Sequence, residues 1–312
     1  ARKFDWSKRK KEPRSIVEGN ELVGYGMATG AWEAFQRESN ASAKLTSDGR
    51  LEVAAATGAN GAGTYTAMTQ IAAESFGIDI DKVTFKLGDT DLPHAPLQGG
   101  SWTVSSVGSA VKKLCGKLRE ELFDLAKKQQ VSVFADNKFS EMTFADGQMI
   151  NPNGDTLTYS DILLTAEKSE IKIDTLSLPQ LMKRKDYSCY SHSCVMVEVR
   201  VDKDLGMIRV PRITLVGAAG KIINPKLAES QLLGAVVWGV GMALHEEGMV
   251  DKQFGRVMNP NLAEYHLSVH ADIEHIDVSF VEEHDDIVNP LGAKGVGELG
   301  IVGVAAAISN AI

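Results

Sequence analysis

The sequence has 312 residues, 44% of them hydrophobic and 24% charged, which is typical of a folded globular chain large enough for one big domain or two packed subdomains. The formal net charge of −8 argues against nucleic acid or an anionic membrane as the main partner. The three cysteines form no paired framework, so we expect reduced thiols and no complete four-cysteine iron–sulfur site.

The two ends of the sequence and its longest apolar run each carry a prediction. Basic residues dominate the opening segment, but Asp5, Trp6 and Glu12 interrupt them, so residues 1–20 are predicted to form a linker or an interface arm. The apolar run at 232–244 is short for a bilayer span and is glycine-rich, which favours a buried helix and no membrane partner. No signal peptide is visible, and the start at alanine together with an uncapped helical pattern at the end indicates a piece of a longer protein.

The first half of the sequence predicts a hairpin and two helices, with a glycine-rich loop before each helix. In chain order the predicted elements are a hairpin over 42–56 with its turn at Asp48-Gly49, a glycine loop at 57–63, a helix over 64–76 ended by Gly77, a strand at 83–87, a Gly-Ser loop at 98–106, and a long helix whose apolar face carries Val107, Val111, Leu114, Leu118, Leu122 and Leu125.

The second half repeats this order. Its predicted elements are hairpin strands at 195–201 and 207–216 joined by a turn at 203–206, a glycine-containing loop at 217–220, a helix over 227–244 and a strand at 275–282. Between the halves, residues 131–185 are predicted to form a hairpin, a short helix and a polar linker. We therefore predict an α+β fold of two similar strand–strand–glycine loop–helix subdomains, at 21–185 and 186–312.

Both glycine-rich loops of the first half open helices. Backbone N–H groups at such positions can hold an anion such as a phosphate, but the loop at 57–63 lacks the lysine of a Walker loop. The glycines from Gly24 to Gly30 likewise miss the dinucleotide-binding spacing by one residue. For the first loop a tight strand-to-helix turn is the commoner interpretation on these general grounds, and for the hydroxyl-rich second loop a helix N-cap cluster is the open alternative.

Glu298 follows two glycines and precedes a small apolar run that predicts a buried helix. The glycines of Lys294-Gly-Val-Gly-Glu298 allow a tight turn and a close approach of the backbone to a ligand. This arrangement would present one carboxylate to a cavity from a helix N-terminus. The alternative is an acidic residue that only complements the helix dipole.

The segment that ends at Glu298 carries a family resemblance. Asn289-Pro-Leu-Gly-Ala-Lys-Gly-Val-Gly-Glu298 resembles the signature of the large subunit of the xanthine dehydrogenase and aldehyde oxidase family. In that family the Glu of Gly-x-Gly-Glu is the base beside molybdenum. The resemblance therefore implies that Glu298 is catalytic and that Gly297 lies against the cofactor.

The first glycine loop resembles the cofactor loop of the same family. There, Gly-Gln-Gly or Gly-Thr-Gly precedes a Thr-containing helix, and here the corresponding residues are Gly61, Ala62, Gly63 and Thr64. The resemblance implies that these four residues bind the cofactor. Because Ala62 occupies the polar position, the side-chain hydrogen bond found in the xanthine-oxidising branch cannot form in the same way.

Two further segments match the family. Gly100, Ser101 and Thr103 stand in its hydroxyl-rich segment, which implies that they hold the pterin. Trp238 stands on the helix that, in the xanthine-oxidising branch, places a Gln near molybdenum. Together with Ala62, Trp238 resembles the bacterial three-subunit aldehyde oxidoreductases, whose sites are less polar. A tryptophan buried only for packing is the open alternative.

His266 and His270 stand at a spacing of four, which on a helix could bind zinc. No Glu follows His266 as it does in His-Glu-x-x-His sites, and the residues before it resemble a surface segment of the family. We therefore assign no metal ligand to this chain.

The resemblance runs from Glu12 to the end of the chain and implies the second molybdopterin-binding domain, the carboxy-terminal half of a molybdenum hydroxylase subunit. It implies molybdenum–molybdopterin as cytosine dinucleotide, and 2Fe–2S clusters and FAD on partner subunits. It also implies the amino-terminal half of the same subunit as a partner, and oxidation of a small aldehyde or N-heterocycle with water as oxygen source. The isolated fragment is expected to be inactive. A cytoplasmic location is expected, or a periplasmic one if a partner carries an export signal.

The residues alone leave two other classes open. A non-catalytic nucleotide- or anion-binding module would use the same glycine loops. A structural or partner-binding module is the other alternative, since part of a cofactor site can hold nothing by itself. Metal content of the assembled protein distinguishes both from the enzyme.

Overall fold

The computed structural model describes residues 1–129 and 132–312, so position 131 of the predicted insertion lies outside the described residues. Its strands are β1 (Val17–Glu18), β2 (Glu21–Glu33), β3 (Ser39–Thr46), β4 (Leu51–Ala54), β5 (Val83–Lys86), β6 (Thr143–Ala145), β7 (Gln148–Ile150), β8 (Thr156–Thr158), β9 (Glu170–Ser177), β10 (Tyr190–Asp202), β11 (Ile208–Ala218) and β12 (His275–Phe280). Its helices are α1 (Thr64–Phe76), α2 (Ser109–Lys128), α3 (Tyr159–Thr165), α4 (Leu181–Arg184), α5 (Pro225–Leu244), α6 (Leu299–Val302) and α7 (Val304–Ala311).

The chain divides into two compact units. Unit 1 comprises Ala1–Ala34, Cys189–Glu283 and Gly295–Ile312, and unit 2 comprises Phe35–Ser188 and His284–Lys294. The predicted subdomains, 21–185 and 186–312, assign two segments differently. Strand β2 pairs with β10 over its whole length, which places it in unit 1. The segment 284–294 folds with unit 2, where Lys112 Nζ donates a hydrogen bond to the Pro290 carbonyl at 2.7 Å.

The two units share one plan, which confirms the predicted α+β fold and its repeated order. In unit 2 the antiparallel hairpin β3–β4 is followed by α1 and by β5, which pairs parallel to β4. In unit 1 the antiparallel hairpin β10–β11 is followed by α5 and by β12, which pairs parallel to β11. Outer antiparallel strands complete both sheets, β9 in the first and β2 with β1 in the second, giving the orders β5-β4-β3-β9 and β1-β2-β10-β11-β12.

Helices α5, α6 and α7 cover one face of the unit 1 sheet. Leu299, Val304, Ala307 and Ile308 are buried there, which confirms the predicted buried helix after Glu298, although Gly303 divides it into α6 and α7. Glycines permit the close approach of strand and helix. A Cβ on Gly26 of β2 would overlap the Ala307 carbonyl oxygen of α7. The glycines between 24 and 30 thus serve strand packing rather than a loop.

The opening segment packs on the unit 1 sheet at strands β2 and β10. Phe4 is fully buried and packs against Val23, Tyr25 and Met196. The Arg212 guanidinium lies 4.4 Å from the centre of the Phe4 ring, in the geometry of a cation–π contact. Phe4 thus anchors the opening segment on its own sheet, and the prediction of a linker or an interface arm over residues 1–20 stays a prediction.

Helices α1 and α2 form the core of unit 2 with its sheet. All six predicted apolar positions of the long helix are buried, and Gly77 ends α1 in the left-handed conformation as predicted. A small sheet, β6-β7-β8, precedes α3. The predicted polar linker is wrong over Glu170–Ser177, because β9 pairs there with β3. Lys172 and Asp174 lie on the exposed side of this edge strand, whereas Thr175 and Ser177 are buried on the other side.

Within the described residues, one helix is long and apolar enough to cross a membrane by length and composition, namely α5. The predicted helix at 227–244 is confirmed and begins two residues earlier. Leu232, Val236 and Val240 on α5 are buried in the unit 1 core. Only 33% of the apolar window of α5 is buried, so the predicted burial of this helix holds for one face alone.

Candidate functional site

Glu298 is the N-cap residue of α6 and directly follows Gly297, as the sequence predicts. The backbone beside it is fixed on both sides. Leu299 is fully buried, and its carbonyl accepts a hydrogen bond from Ser193 Oγ at 3.3 Å. A Cβ on Gly300 would lie 2.6 Å from Ala235 Cβ, so α6 and α5 pack at close range. Glu298 itself is half-buried, which leaves its carboxylate partly accessible.

The segment that leads towards Glu298 is a compact loop of unit 2. Lys294 Nζ lies 3.0 Å from Asp285 Oδ2, and only 7% of the Lys294 side chain is exposed. The other carboxylate oxygen of Asp285 accepts hydrogen bonds from the Ile287 and Val288 N–H groups at 2.8 and 2.9 Å. Asn289 Nδ2 closes the loop by donating to the Ala293 carbonyl at 2.6 Å.

This loop also determines the charge state of Asp285. Burial alone would raise the pKa of its carboxyl, but the Val288 N–H, the Lys294 ammonium and the Ile287 N–H together hold that pKa below its ordinary value. The ion pair is therefore present at neutral pH. Because Lys294 stands four residues before Glu298, this pair restrains the chain just ahead of the carboxylate.

The first glycine loop reaches α1 through residues in the left-handed region. Gly61 has φ +102° and Gly63, the N-cap of α1, has φ +74°. A side chain at either position would be strained, which is why glycine is needed. No heavy atom lies within 4 Å of a Cβ built on Gly61, so the loop presents bare backbone to open space. Ala62 lies between them and is half-buried.

The second loop is equally constrained. Gly100 and Ser101 have φ values of +59° and +57°, and the chain folds back over the Trp102 ring. Trp102 Nε1 donates a hydrogen bond to the Leu97 carbonyl at 2.8 Å. Thr103 then leads into a π-helical turn at Val104–Gly108 that continues as α2.

A direct contact joins the two loops. Gln98 Nε2 donates a hydrogen bond to Thr64 Oγ1 at 3.0 Å, and Thr64 is buried. The predicted loop residues from Gly61 to Thr64 and from Gly100 to Thr103 therefore belong to one connected part of unit 2. Trp238, Gly297 and Glu298 lie in unit 1.

Aromatic residues brace the second loop, and sequence reasoning did not single them out. The Trp102 ring meets the Phe35 ring edge-on at 5.7 Å. The Arg37 guanidinium lies 5.0 Å from the centre of the Trp102 ring and 5.9 Å from that of Phe35. The position of Trp102 inside the glycine-rich loop was the available signal, whereas Phe35 and Arg37 are about 65 residues away in the sequence.

The donor groups of these loops fit a polar cofactor. The Thr57 hydroxyl, at the start of the first loop, is buried and has no hydrogen-bond partner among the described residues. That oxygen is covered by protein, so the group of this loop that a ligand can reach is the exposed backbone at Gly61, whose polar groups suit an anion or a pterin.

Trp238 is exposed over 70% of its surface, and Met242 one turn further along α5 is 58% exposed. The alternative of a tryptophan buried for packing is therefore wrong within the described chain. A large exposed aromatic side chain beside an exposed methionine is typical of a surface that a ligand or further protein covers.

The histidine pair and the cysteines are the remaining residues to consider as metal ligands. Residues 262–269 form turns and extended chain, and a short 3₁₀ helix begins at His270, so the two histidines do not share a helix face. No group of His, Cys, Asp or Glu that could hold a metal ion occurs among the described residues. The cysteines are free thiols, and burial raises the pKa of the Cys115 thiol to about 12, which keeps it protonated.

Comparison with known proteins identifies the class. The family model described as the molybdopterin cofactor-binding domain matches residues 1–274, and the chain belongs to this family. The sequence-based recognition of a fragment of a molybdenum-cofactor-binding subunit is thereby confirmed.

Two relatives illustrate the similarity. The chain is 38% identical over 315 residues to the aldehyde oxidoreductase molybdenum-binding subunit PaoC of Escherichia coli K12, covering 100% of this chain and 41% of that protein. It is 28% identical over 319 residues to the putative xanthine dehydrogenase molybdenum-binding subunit XdhA of the same strain, covering 99% and 41%. The chain thus spans about two fifths of the length of these relatives.

Solved structures show the same fold. Quinoline 2-oxidoreductase from Pseudomonas putida 86 superposes with a TM-score of 0.83 at 18% identity, over 94% of this chain and 39% of that chain. The aldehyde oxidoreductase from Desulfovibrio desulfuricans gives 0.75 at 21% identity, over 99% and 32%.

Proposed function

We propose that this chain is the carboxy-terminal cofactor-binding part of the catalytic subunit of a molybdenum hydroxylase that oxidises an aldehyde or an N-heterocycle. The observation that carries the proposal is the 38% identity to an aldehyde oxidoreductase molybdenum-binding subunit along the whole chain. The position of Glu298 supports it, because the carboxylate stands at the head of a rigidly packed α6.

In the proposed reaction the residues of this chain bind, orient and move a proton. The bound molybdenum cofactor would supply the two-electron chemistry that joins a water-derived oxygen to the substrate carbon. The Glu298 carboxylate would take the proton from the attacking hydroxyl. The backbone of Gly61–Thr64 and of Gly100–Thr103 would hold the cofactor, and Gly297 would let the chain approach it closely.

The less polar residues favour an aldehyde. Ala62 offers only a methyl group at the position where the xanthine-oxidising branch has a polar side chain, and Trp238 offers a large exposed apolar face. The Ala62 methyl group cannot hydrogen-bond to a heterocycle, and the Trp238 indole offers one N–H donor and no acceptor. A small aldehyde needs no such partner, so we favour it over a heterocycle.

Completion of the site requires further protein. The exposed face of α5 at Trp238 and Met242 is suited to a covering partner, for which we propose the amino-terminal half of the same subunit. We further propose the cytosine dinucleotide form of the cofactor, and an iron–sulfur subunit and an FAD subunit that carry electrons away. The location would be cytoplasmic, or periplasmic with an exported partner.

The decisive experiment is metal and activity analysis of the full-length subunit produced with its neighbouring chains. We expect about one molybdenum and one molybdopterin per subunit, and aldehyde-dependent reduction of a dye. A folded complex free of molybdenum would favour the non-catalytic anion-binding or structural alternative.

Gly63→Val tests the first loop in that complex. Because Gly63 has φ +74° and caps α1, a β-branched side chain should distort the loop and lower molybdenum content. Gly147→Val is the matched control, since Gly147 also has φ +74° but lies in the turn between β6 and β7. Equal molybdenum in a folded Gly63→Val protein would mean that the loop is only a turn.

A further inference from the structure

The Gln98 side chain bridges the two glycine-rich loops. Gln98 is the first residue of the second loop, and its Nε2 donates a hydrogen bond to Thr64 Oγ1 at 3.0 Å. Thr64 is buried and is the first residue of α1, at the end of the first loop. Gln98 itself is half-buried, so protein partly shields this bond from water. The position of the first turn of α1 is thereby coupled to the second loop.

The start of the first loop makes room for the same amide. A Cβ on Gly58 would lie 2.7 Å from Gln98 Oε1, which is closer than van der Waals contact allows. The φ angle of Gly58 lies outside the left-handed region, so the requirement for glycine there is one of space. The Gln98 amide therefore lies against both ends of the first loop, at Gly58 and at Thr64.

The segment that carries Gln98 is anchored on both sides. Before it, the Ala56 N–H donates a hydrogen bond to the Pro93 carbonyl at 2.7 Å, where the chain leaves the β3–β4 hairpin. Next to it, the Leu97 carbonyl accepts a hydrogen bond from Trp102 Nε1 at 2.8 Å. Gln98 is thus a fixed support for the first loop rather than a side chain on a free segment.

We propose that Gln98 is a positioning residue that holds the first loop in the shape that binds the cofactor. This proposal rests on the proposed function. Residues 59–61, between the two contacts of the amide, are exposed and accessible to a ligand. Fixing both ends of this stretch in advance lowers the conformational entropy that is lost when the cofactor binds. Gln98 thereby strengthens binding without needing its own contact with the cofactor.

Gln98→Ala and Gly58→Ala in the full-length complex test this role. Each should speed the loss of molybdopterin on dilution by about 2- to 10-fold, as for one lost neutral hydrogen bond. In cofactor-free complex each should also speed hydrogen exchange of the Ala67 N–H, which donates to the Gly63 carbonyl at 3.0 Å in the first turn of α1. Because both substitutions disturb the same bond, the double variant should behave like Gln98→Ala alone.

Gln129→Ala is the matched control for a purely structural amide. Gln129 Nε2 donates a hydrogen bond to the Ile162 carbonyl at 3.1 Å, and Gln129 lies at the far end of α2 from the second loop. This substitution should lower the thermal midpoint of the cofactor-free complex. It should leave both the loss of molybdopterin and the exchange of the Ala67 N–H at wild-type rates.

Three results contradict the proposal. One is a wild-type rate of molybdopterin loss from a folded Gln98→Ala complex. Another is a lower thermal midpoint with wild-type Ala67 exchange, which would give Gln98 the structural role of Gln129. The third is additivity of Gln98→Ala and Gly58→Ala, which would mean that they do not act through one bond. Wild-type complex without molybdopterin would instead refute the proposed function, a result independent of the variants.

Discussion

The full-length enzyme carrying Glu298→Gln is expected to keep its fold and its cofactor and to lose about 10²- to 10⁴-fold in turnover. The amide has nearly the shape of the carboxylate but cannot accept the proton. Because the amide keeps the size and shape of the side chain, the substitution should leave the packing of Leu299 and Gly300 unchanged. Molybdenum content and aldehyde-dependent dye reduction, measured on the same preparation, check both parts.

A second Glu→Gln substitution controls for general charge effects. Glu274 is exposed in unit 1 just before β12, and Glu274→Gln should leave turnover within about twofold of wild type, since exposed charges away from a site have small effects. Near-normal turnover by a molybdenum-replete Glu298→Gln enzyme would refute the role of Glu298 as base.

Local signals in the sequence predicted the elements that depend on neighbouring residues. Helix α1 was predicted at Thr64–Phe76 because its apolar spacing is regular and Gly77 ends it. The hairpin β3–β4 followed from the turn at Asp48-Gly49, where Gly49 has φ +77°. In both cases the physical cause lies within a few residues.

Long-range pairing could not be predicted in this way. Strand β2 was not predicted, because glycines such as those at 24, 26 and 30 weaken a strand pattern, and their role in close packing becomes visible only with α7 in place. Strand β9 was taken for a linker, because its partner β3 lies about 130 residues earlier. The division of the chain into units depends on both strands.

The candidate site was predictable only in part for the same reason. From the residues alone Glu298 was equally consistent with a dipole-complementing role, and the family resemblance made the difference. Phe35 and Arg37 pack on Trp102 of the second loop. They lie far from it in the sequence, so only the folded chain brings them into contact.

Gly26→Ala is expected to lower the stability of the protein strongly, because β2 packs closely on α7 at this glycine. The added Cβ would overlap the Ala307 carbonyl oxygen and lie 2.9 Å from Ala311 Cβ, so strand and helix must separate. Overpacking of this kind costs about 1–3 kcal/mol, and more where backbone atoms must move. Thermal unfolding should therefore shift to a lower midpoint.

Gly234→Ala on α5 is expected to raise the stability instead of lowering it. No heavy atom lies within 4 Å of a Cβ built on Gly234 of α5, so alanine should fit and stabilise the helix by about 0.5–1 kcal/mol. If Gly26→Ala unfolds at the wild-type midpoint, α7 does not pack on β2 as described. Since α7 continues from α6, which Glu298 caps, Gly26→Ala should also lower turnover in the assembled enzyme, whereas Gly234→Ala should not.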